Sequence, residues 1–434
     1  MELSTPRPFD APAELLCHAA TACLRALQAL IDARWLLFLL MLSLMLFRPP
    51  GLESFPFDRV AFLIVCVAGA IHLAITHQGF HLLSPVTRPM AGLLILSSCN
   101  VFCHGYNAES WSMFAAKWLV PFVIYQTGAV ILPSQKALRA FEIYGLIVLG
   151  YLTLTSVAFL VGANWAIVPA YILDENLGIH ADRARGPFLQ AVANGVTLNL
   201  LGLIAMDTLR NRRLPRPLLF PLLAALPVAV LATKTRSVWL SFAGVLLLLL
   251  FSKSREIRRV CLGLLMAALI GVAGFAFWSE NSIADRLEDR SPVEFRLSMY
   301  QAGLEMFSEK PLLGWGYDRM RDELGRRISD FHQEAFYFHN TYLEVLVEHG
   351  LLGLFLYLWM AFDLFRLGRK RLKLPWKGFP DQPFRSIWPL MLAVYFINAS
   401  FVGMNYQFVN VLLFTIAGIL AAQNRIEDEA VHAR

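Results

Sequence analysis

FHNTYLEVLVEHGLLGLF, residues 338–355, begins with a polar patch around His339 and Asn340 and passes into an apolar run that continues to residue 363. A helix needs about 20 mostly apolar residues to cross a bilayer, because the hydrocarbon core is about 30 Å thick and each residue rises about 1.5 Å. This run is long enough. Outward from it lie eleven more such stretches, at roughly 29–47, 58–77, 89–104, 113–132, 141–161, 191–209, 216–232, 237–252, 257–278, 385–403 and 405–424. The chain therefore reads as an all-α polytopic membrane protein of about twelve transmembrane helices. Its least regular part is 216–252, where Pro217, Pro221 and Pro227 interrupt one half and the polar TKTRS, residues 233–237, divides two short apolar runs.

Composition agrees. Of 434 residues, 57% are hydrophobic and 16% charged, and the mean hydropathy is +0.54, which excludes a soluble domain of ordinary make-up. The first twenty residues carry no short apolar core followed by a small-residue cleavage site, so no removable signal peptide is expected and the first span should serve as its own insertion signal. Cysteines occur at 17, 23, 66, 99, 103 and 261, none in the long polar loop, and no structural disulfide is expected. Cys99 and Cys103 read as small packing residues. His77 and His81 share their spacing but lack further ligands, so no metal site is expected. With no tandem repeat, residues 1–434 read as a single membrane domain.

Lysine and arginine in short connections mark the cytoplasmic side. With the N-terminus inside, the inner connections hold Lys136 and Arg139; Arg210, Arg212, Arg213 and Arg216; Lys253, Arg255, Arg258 and Arg259; and a further cluster from Arg366 to Arg385. The outer connections at 47–58, 104–113 and 403–405 contain Arg48 alone. Both termini are thus expected in the cytoplasm. The connection 279–340, between the ninth and tenth helices, carries 8 basic and 12 acidic residues and reads as a polar subdomain on the far side. Within it, EFRLSMYQAGLEMFSEKP, residues 294–311, sets Phe295, Met299, Ala302, Met306 and Phe307 at helical spacing, which predicts an amphipathic helix lying on the membrane surface.

Three outer connections hold arginine against the charge rule: Arg183 and Arg185 in 162–190, Arg236 beside Lys234 in 233–236, and Arg296 in the long loop. Guanidinium groups fork onto phosphate oxygens and stay charged, so this set suggests an anionic partner. The blander reading pairs each with lipid headgroups or with a carboxylate such as Asp182 or Glu294. His339 suits a general base, since imidazole exchanges protons near neutral pH; the competing reading is a helix start capped by Asn340 or Thr341, with His349 and His332 as rival bases. Lys117 lies inside the fourth span, where an ionisable group marks either function or a paired or snorkelling side chain. There is no phosphate-binding Walker loop, zinc constellation, nucleophile elbow or Asp-rich metal motif. ATP-driven transport is not expected on that ground.

HNTYLEVLVEHGLLG, with His339 and Asn340 followed by Gly350 and Gly353, resembles the signature of bacterial O-antigen ligases. RSVWL fits that family's R-x-x-x-L pattern through Arg236 and Leu240, and residues 296–316, from Arg296 onward, resemble the wider superfamily shared with O-antigen polymerases. RARGPF, residues 183–188, resembles an upstream Arg and Gly element, without the Pro-Asn pair that usually follows; Asn194 is a loose counterpart, and Arg183 and Arg185 are both candidates for the element's arginine. The resemblance implies a GT-C-like membrane glycosyltransferase of the bacterial inner membrane. It would move O-antigen polysaccharide from undecaprenyl diphosphate onto lipid A-core on the periplasmic face, with inversion and without metal, nucleotide, nucleic acid or other cofactor. His339 would then be the base, and Arg183, Arg185, Arg236, Arg296 and Lys117 would hold the donor diphosphate, with Asn340, Gly350 and Gly353 in support. An O-antigen polymerase and a lipid-linked glycan flippase are the alternatives. A flippase should bury charged residues in broken helices at the membrane midplane, and the sequence puts only Lys117 clearly inside a span.

Overall fold

A computed structural model describes residues 10–48, 55–76, 84–103, 107–278, 291–328, 338–369 and 383–432. In a bilayer each backbone polar group must find a partner within the protein, which leaves helices and closed barrels as spanning forms. The described residues hold helices and no strand. In chain order they are α1 (Asp10–Leu46), α2 (Phe57–Thr76), α3 (Thr87–Cys103), α4 (Ala108–Ile131), α5 (Gln135–Leu160), α6 (Ala191–Arg210), α7 (Arg216–Ala232), α8 (Arg236–Leu250), α9 (Arg255–Trp278), α10 (Ser291–Glu309), α11 (Tyr317–Arg327), α12 (Thr341–Arg369), α13 (Trp388–Ala399) and α14 (Gln407–His432).

Six of these, α2, α4, α5, α6, α12 and α14, are long and apolar enough to cross a membrane, and α7, α8 and α13 are apolar but shorter. This is a multi-pass membrane protein. Helix α7 runs unbroken through Pro221 and Pro227, and a turn at residues 233–235 separates it from α8. Helix α6 lies at the centre, with 94% of its apolar window enclosed against 22% for α2. Without a hydrophobic difference between lipid and side chain, spans associate by close packing at small residues. Helices α4 and α14 do so: a β-carbon at Gly128 would lie 3.3 Å from the Thr415 carbonyl oxygen, and one at Gly418 would run into the Tyr125 carbonyl.

The arginine-rich end of the bundle is tied together by ion pairs. Arg213 joins Glu142 of α5 (2.5 Å) to Asp207 of α6, and Asp207 also accepts from the Ser386 hydroxyl (2.8 Å) and the Phe384 amide (3.2 Å). Arg385 donates to Asn424 (2.9 Å) and to the Leu367 carbonyl (3.3 Å).

At the opposite end α10 and α11 form a second small core. Met299 and Met306 of α10 pack with Met320 and Leu324 of α11 and with Phe338 and Val347 beside and within α12. The apolar stripe expected on the membrane surface is therefore buried inside the protein, while Leu297 and Leu304 on the other side of α10 are exposed. Periodicity identifies a face that must be covered but not what covers it. His77, His81 and His332 lie outside the described residues.

Candidate active site

Helix α12 is broken near its start. At Gly350 the backbone takes φ +66, and the helix divides into a half at residues 341–349 and a longer apolar half beyond. A left-handed turn in mid-helix leaves carbonyls before it and amides after it without intrahelical partners. The PLLGWG segment, residues 311–316, supplies them. Trp315 and Gly316 amides donate to the Val347 and Glu348 carbonyls (2.9 and 3.0 Å), and the Leu351 and Leu352 amides donate to the Pro311 and Leu312 carbonyls (2.8 and 3.3 Å). Gly314 has φ +71, and a β-carbon on it would lie 2.5 Å from the Glu348 carbonyl.

The leading end of the half-helix is fixed as firmly. The Asn340 side chain accepts from the Tyr342 and Leu343 amides (3.0 and 3.2 Å), the usual role of an N-cap asparagine. The Thr341 hydroxyl donates to the Val402 carbonyl (2.7 Å) and accepts from the Met404 amide (2.9 Å), which joins this end to the turn between α13 and α14. His339 precedes these caps. Its ring meets Phe295 edge to face at 6.4 Å between centroids. Burial, together with the positive charges of Arg296 and His180, holds its pKa below the ordinary imidazole value, so the ring is a neutral base at pH 7.

The arginine-bearing loops meet at the same end. The Ala184 amide donates to the Ala232 carbonyl at the end of α7 (3.0 Å), which lays residues 180–188 beside residues 232–236. Asp182 lies between Arg183 (3.7 Å) and Lys234 (3.8 Å). Arg236, two residues further on, is the first residue of α8 and its side chain is exposed. Phe188 packs on Phe408 of α14 at 5.5 Å, and the Asn194 side chain donates to the Ala184 carbonyl from below (2.9 Å). His339, Arg296, His180, Arg183, Lys234 and Arg236 thus gather at one end of the bundle.

Arg185 and Lys117 behave differently. Arg185 is 2% exposed and turned inward, its guanidinium donating to the carbonyls of Ile172 (2.9 Å), Asp174 (2.8 Å) and Leu177. Lys117 lies in a π-helical turn of α4, residues 115–119, and its ammonium contacts Glu344 at 2.5 Å and Glu348 at 2.8 Å, all three side chains being buried. The two glutamates stand four residues apart on one face of the half-helix. Sequence reading missed them, as it missed His180. The signal for the pair was present: two carboxylates at that spacing inside an apolar run need a cation within reach. Lys117 is therefore not the one charged residue within the spans. A small cavity of about 20 Å³, room for about one water molecule, lies alongside, lined by Lys117 and Glu344 with Met90, Tyr357 and Tyr395. His349, the rival base, is 1% exposed, its ring nitrogens engaged by Ser97 (2.9 Å) and Asn100 (3.1 Å) of α3.

The family model described as O-antigen ligase matches residues 219–358, from α7 into α12, a range that includes Arg236, Arg296, His339, Asn340, Gly350 and Gly353. No curated protein matches the sequence.

Proposed function

Because this chain belongs to the O-antigen ligase/polymerase superfamily, we propose that it transfers O-antigen polysaccharide from undecaprenyl diphosphate to lipid A-core. The observation that carries the reading is the placement of His339: ahead of a capped half-helix, its ring against Phe295 and within electrostatic reach of Arg296 and of His180, whose carbonyl accepts from the Arg183 amide. In the proposed step His339 takes the proton of the acceptor sugar hydroxyl as its oxygen bonds to the anomeric carbon. The bond from that carbon to the diphosphate oxygen breaks on the opposite face, with inversion. Arg183, Arg236 and Arg296 stabilise the charge that grows on the departing diphosphate, as a metal ion does in other transferases. Arg185, with its donors on three carbonyls, is left out of this grip, and Arg183 is assigned the contact with the diphosphate.

The same reading has the chain cross the inner membrane about twelve times with both termini in the cytoplasm and the site on the periplasmic face, consistent with the ion-paired basic residues at the far end of the bundle. What favours ligase over polymerase is the resemblance of the His339–Asn340 pair, with Gly350 and Gly353 at their spacing, to the ligase signature. Deleting the gene and analysing the glycan tests it: long chains that stay lipid-linked and never reach lipid A-core are expected, whereas single repeat units on lipid A-core identify a polymerase. The buried charges beside the break in α12 give a flippase reading some footing. Proteoliposomes decide that point, since movement of a lipid-linked glycan between leaflets with no transfer to acceptor would sink the transferase assignment.

A further inference from the structure

We propose that Lys117 is a positioning residue for His339: through Glu344 and Glu348 it fixes the half-helix at residues 341–349 against the bundle, and so sets where the base stands. This rests on the reading of His339 as base. Both ends of the half-helix are tied to turns, at the front to residues 402–404 and at the rear to residues 311–316. Loops are more mobile than the elements they connect, and within the bundle the half-helix is tied by His349, its last residue, to Ser97 and Asn100 of α3, and by Glu344 and Glu348 to Lys117. Lys117 belongs to α4, which packs backbone to backbone on α14 in the body of the protein. Its ammonium reaches the half-helix at two points one turn apart, which fixes rotation as well as height. It also lies 5.4 Å from the centre of the Tyr317 ring at the start of α11. The turn around it is π-helical, a form frequent at functional sites.

Direct service as a diphosphate ligand is the rival role, and the geometry opposes it. The ammonium is buried, with one N–H on each glutamate and its remaining open side toward Tyr317. A base displaced by about 1 Å loses on the order of 10²-fold in rate without any loss of substrate contacts. Positioning and binding therefore separate in the kinetics.

The experiment uses the full chain in liposomes with a lipid-linked glycan donor and lipid A-core acceptor. Removing Lys117 alone strands two carboxylates, so the first variant is the triple Lys117→Met, Glu344→Gln and Glu348→Gln, which leaves no buried charge unpaired. Its kcat should fall about 10-fold to 100-fold while the KM for donor stays within about threefold. The second comparison is Lys117→Glu against Lys117→Glu with Glu348→Lys, in which the swap should recover roughly tenfold of the lost kcat. A triple variant with kcat within about twofold of wild type overturns the proposal. So does a donor KM raised tenfold at unchanged kcat, which would make Lys117 a diphosphate ligand. If the triple variant fails to reach the membrane, the swap decides alone: recovery supports positioning, and equal inactivity of both swap variants at equal membrane levels overturns it. His339→Ala, run in parallel, separates the two readings, because normal transfer by that variant removes the base assignment whatever the Lys117 series gives.

Discussion

The amide of Trp315 donates to the carbonyl of Val347 across the break in α12, at 2.9 Å, so the loop after α10 completes a helix that Gly350 interrupts. The interruption needs glycine: φ is +66, and a β-carbon there would strike the Leu312 carbonyl. Backbone at φ +66 and ψ −164 is essentially confined to glycine and costs other residues on the order of 1–3 kcal/mol before any clash is counted. Gly350→Ala should therefore lower stability by at least that much and detach the 311–316 loop, with a fall in transfer. Thermal unfolding in detergent would register the loss. An unchanged midpoint would mean that the break tolerates a side chain.

Arg183 and Arg185, two residues apart, should fail in opposite ways. Arg185→Ala removes a buried guanidinium from three backbone carbonyls and should cost on the order of 3 kcal/mol, seen as low membrane levels and a reduced unfolding midpoint. Arg183→Ala changes a partly exposed side chain whose ion pair with Asp182 is long, at 3.7 Å, so stability should fall by less, about 1 kcal/mol or below. Its transfer rate should fall about 10²-fold to 10³-fold, as expected for loss of one donor to a developing anion. Unfolding and rate measured on both proteins test the division.

Much of this was legible in the sequence, for reasons that also mark the limit. Apolar runs report spans directly, because a bilayer offers one interior for all of them. The entry at His339, the cap at Asn340 and the division of α7 from α8 at residues 233–235 follow from polar residues interrupting such runs. Lys117 was conspicuous for the same reason. Its partners were not, because Glu344 and Glu348 lie 227 and 231 residues away and nothing local joins them. The direction of the α10 stripe was equally hidden: Met299 and Met306 cover Phe338 and Val347, a contact across the loop that periodicity does not encode. Arg183 and Arg185 look alike in sequence and are told apart only by which way each side chain turns.

Acidity should limit the reaction through His339. Its pKa is held below the usual value of about 6.5 by burial first, then by Arg296 and His180. As the base must be unprotonated, the transfer rate should fall on the acid side with a midpoint below 6.5. Removing Arg296 takes away a repelling charge, so Arg296→Ala should move that midpoint to higher pH as well as lower the rate at its plateau. His180→Ala should shift it the same way with less loss of rate. The linked effect on folding has the same sign: a depressed imidazole pKa contributes stability above the unfolded value, and that contribution is lost as pH falls through the folded one. Rate profiles between pH 5 and 8 would show both shifts, and a midpoint that ignores Arg296 would dissociate the two residues.

His339 and His349 offer the last separation. Both lie in the matched range, ten residues apart, and either could titrate near neutral pH in isolation. His349 is enclosed, its two ring nitrogens taken by Ser97 and Asn100, and a β-carbon on Gly353 would strike it from the next turn. It works as a brace between α3 and α12. His349→Ala should therefore leave a cavity and two stranded polar groups, at a cost of roughly 2–4 kcal/mol, with residual transfer in proportion to the protein that folds. His339→Ala should leave membrane level and unfolding midpoint near wild type and reduce transfer about 10²-fold to 10⁴-fold. Specific activity per folded molecule distinguishes them: if it is His349→Ala that abolishes it, and His339→Ala that spares it, the base has been assigned to the wrong end of the half-helix.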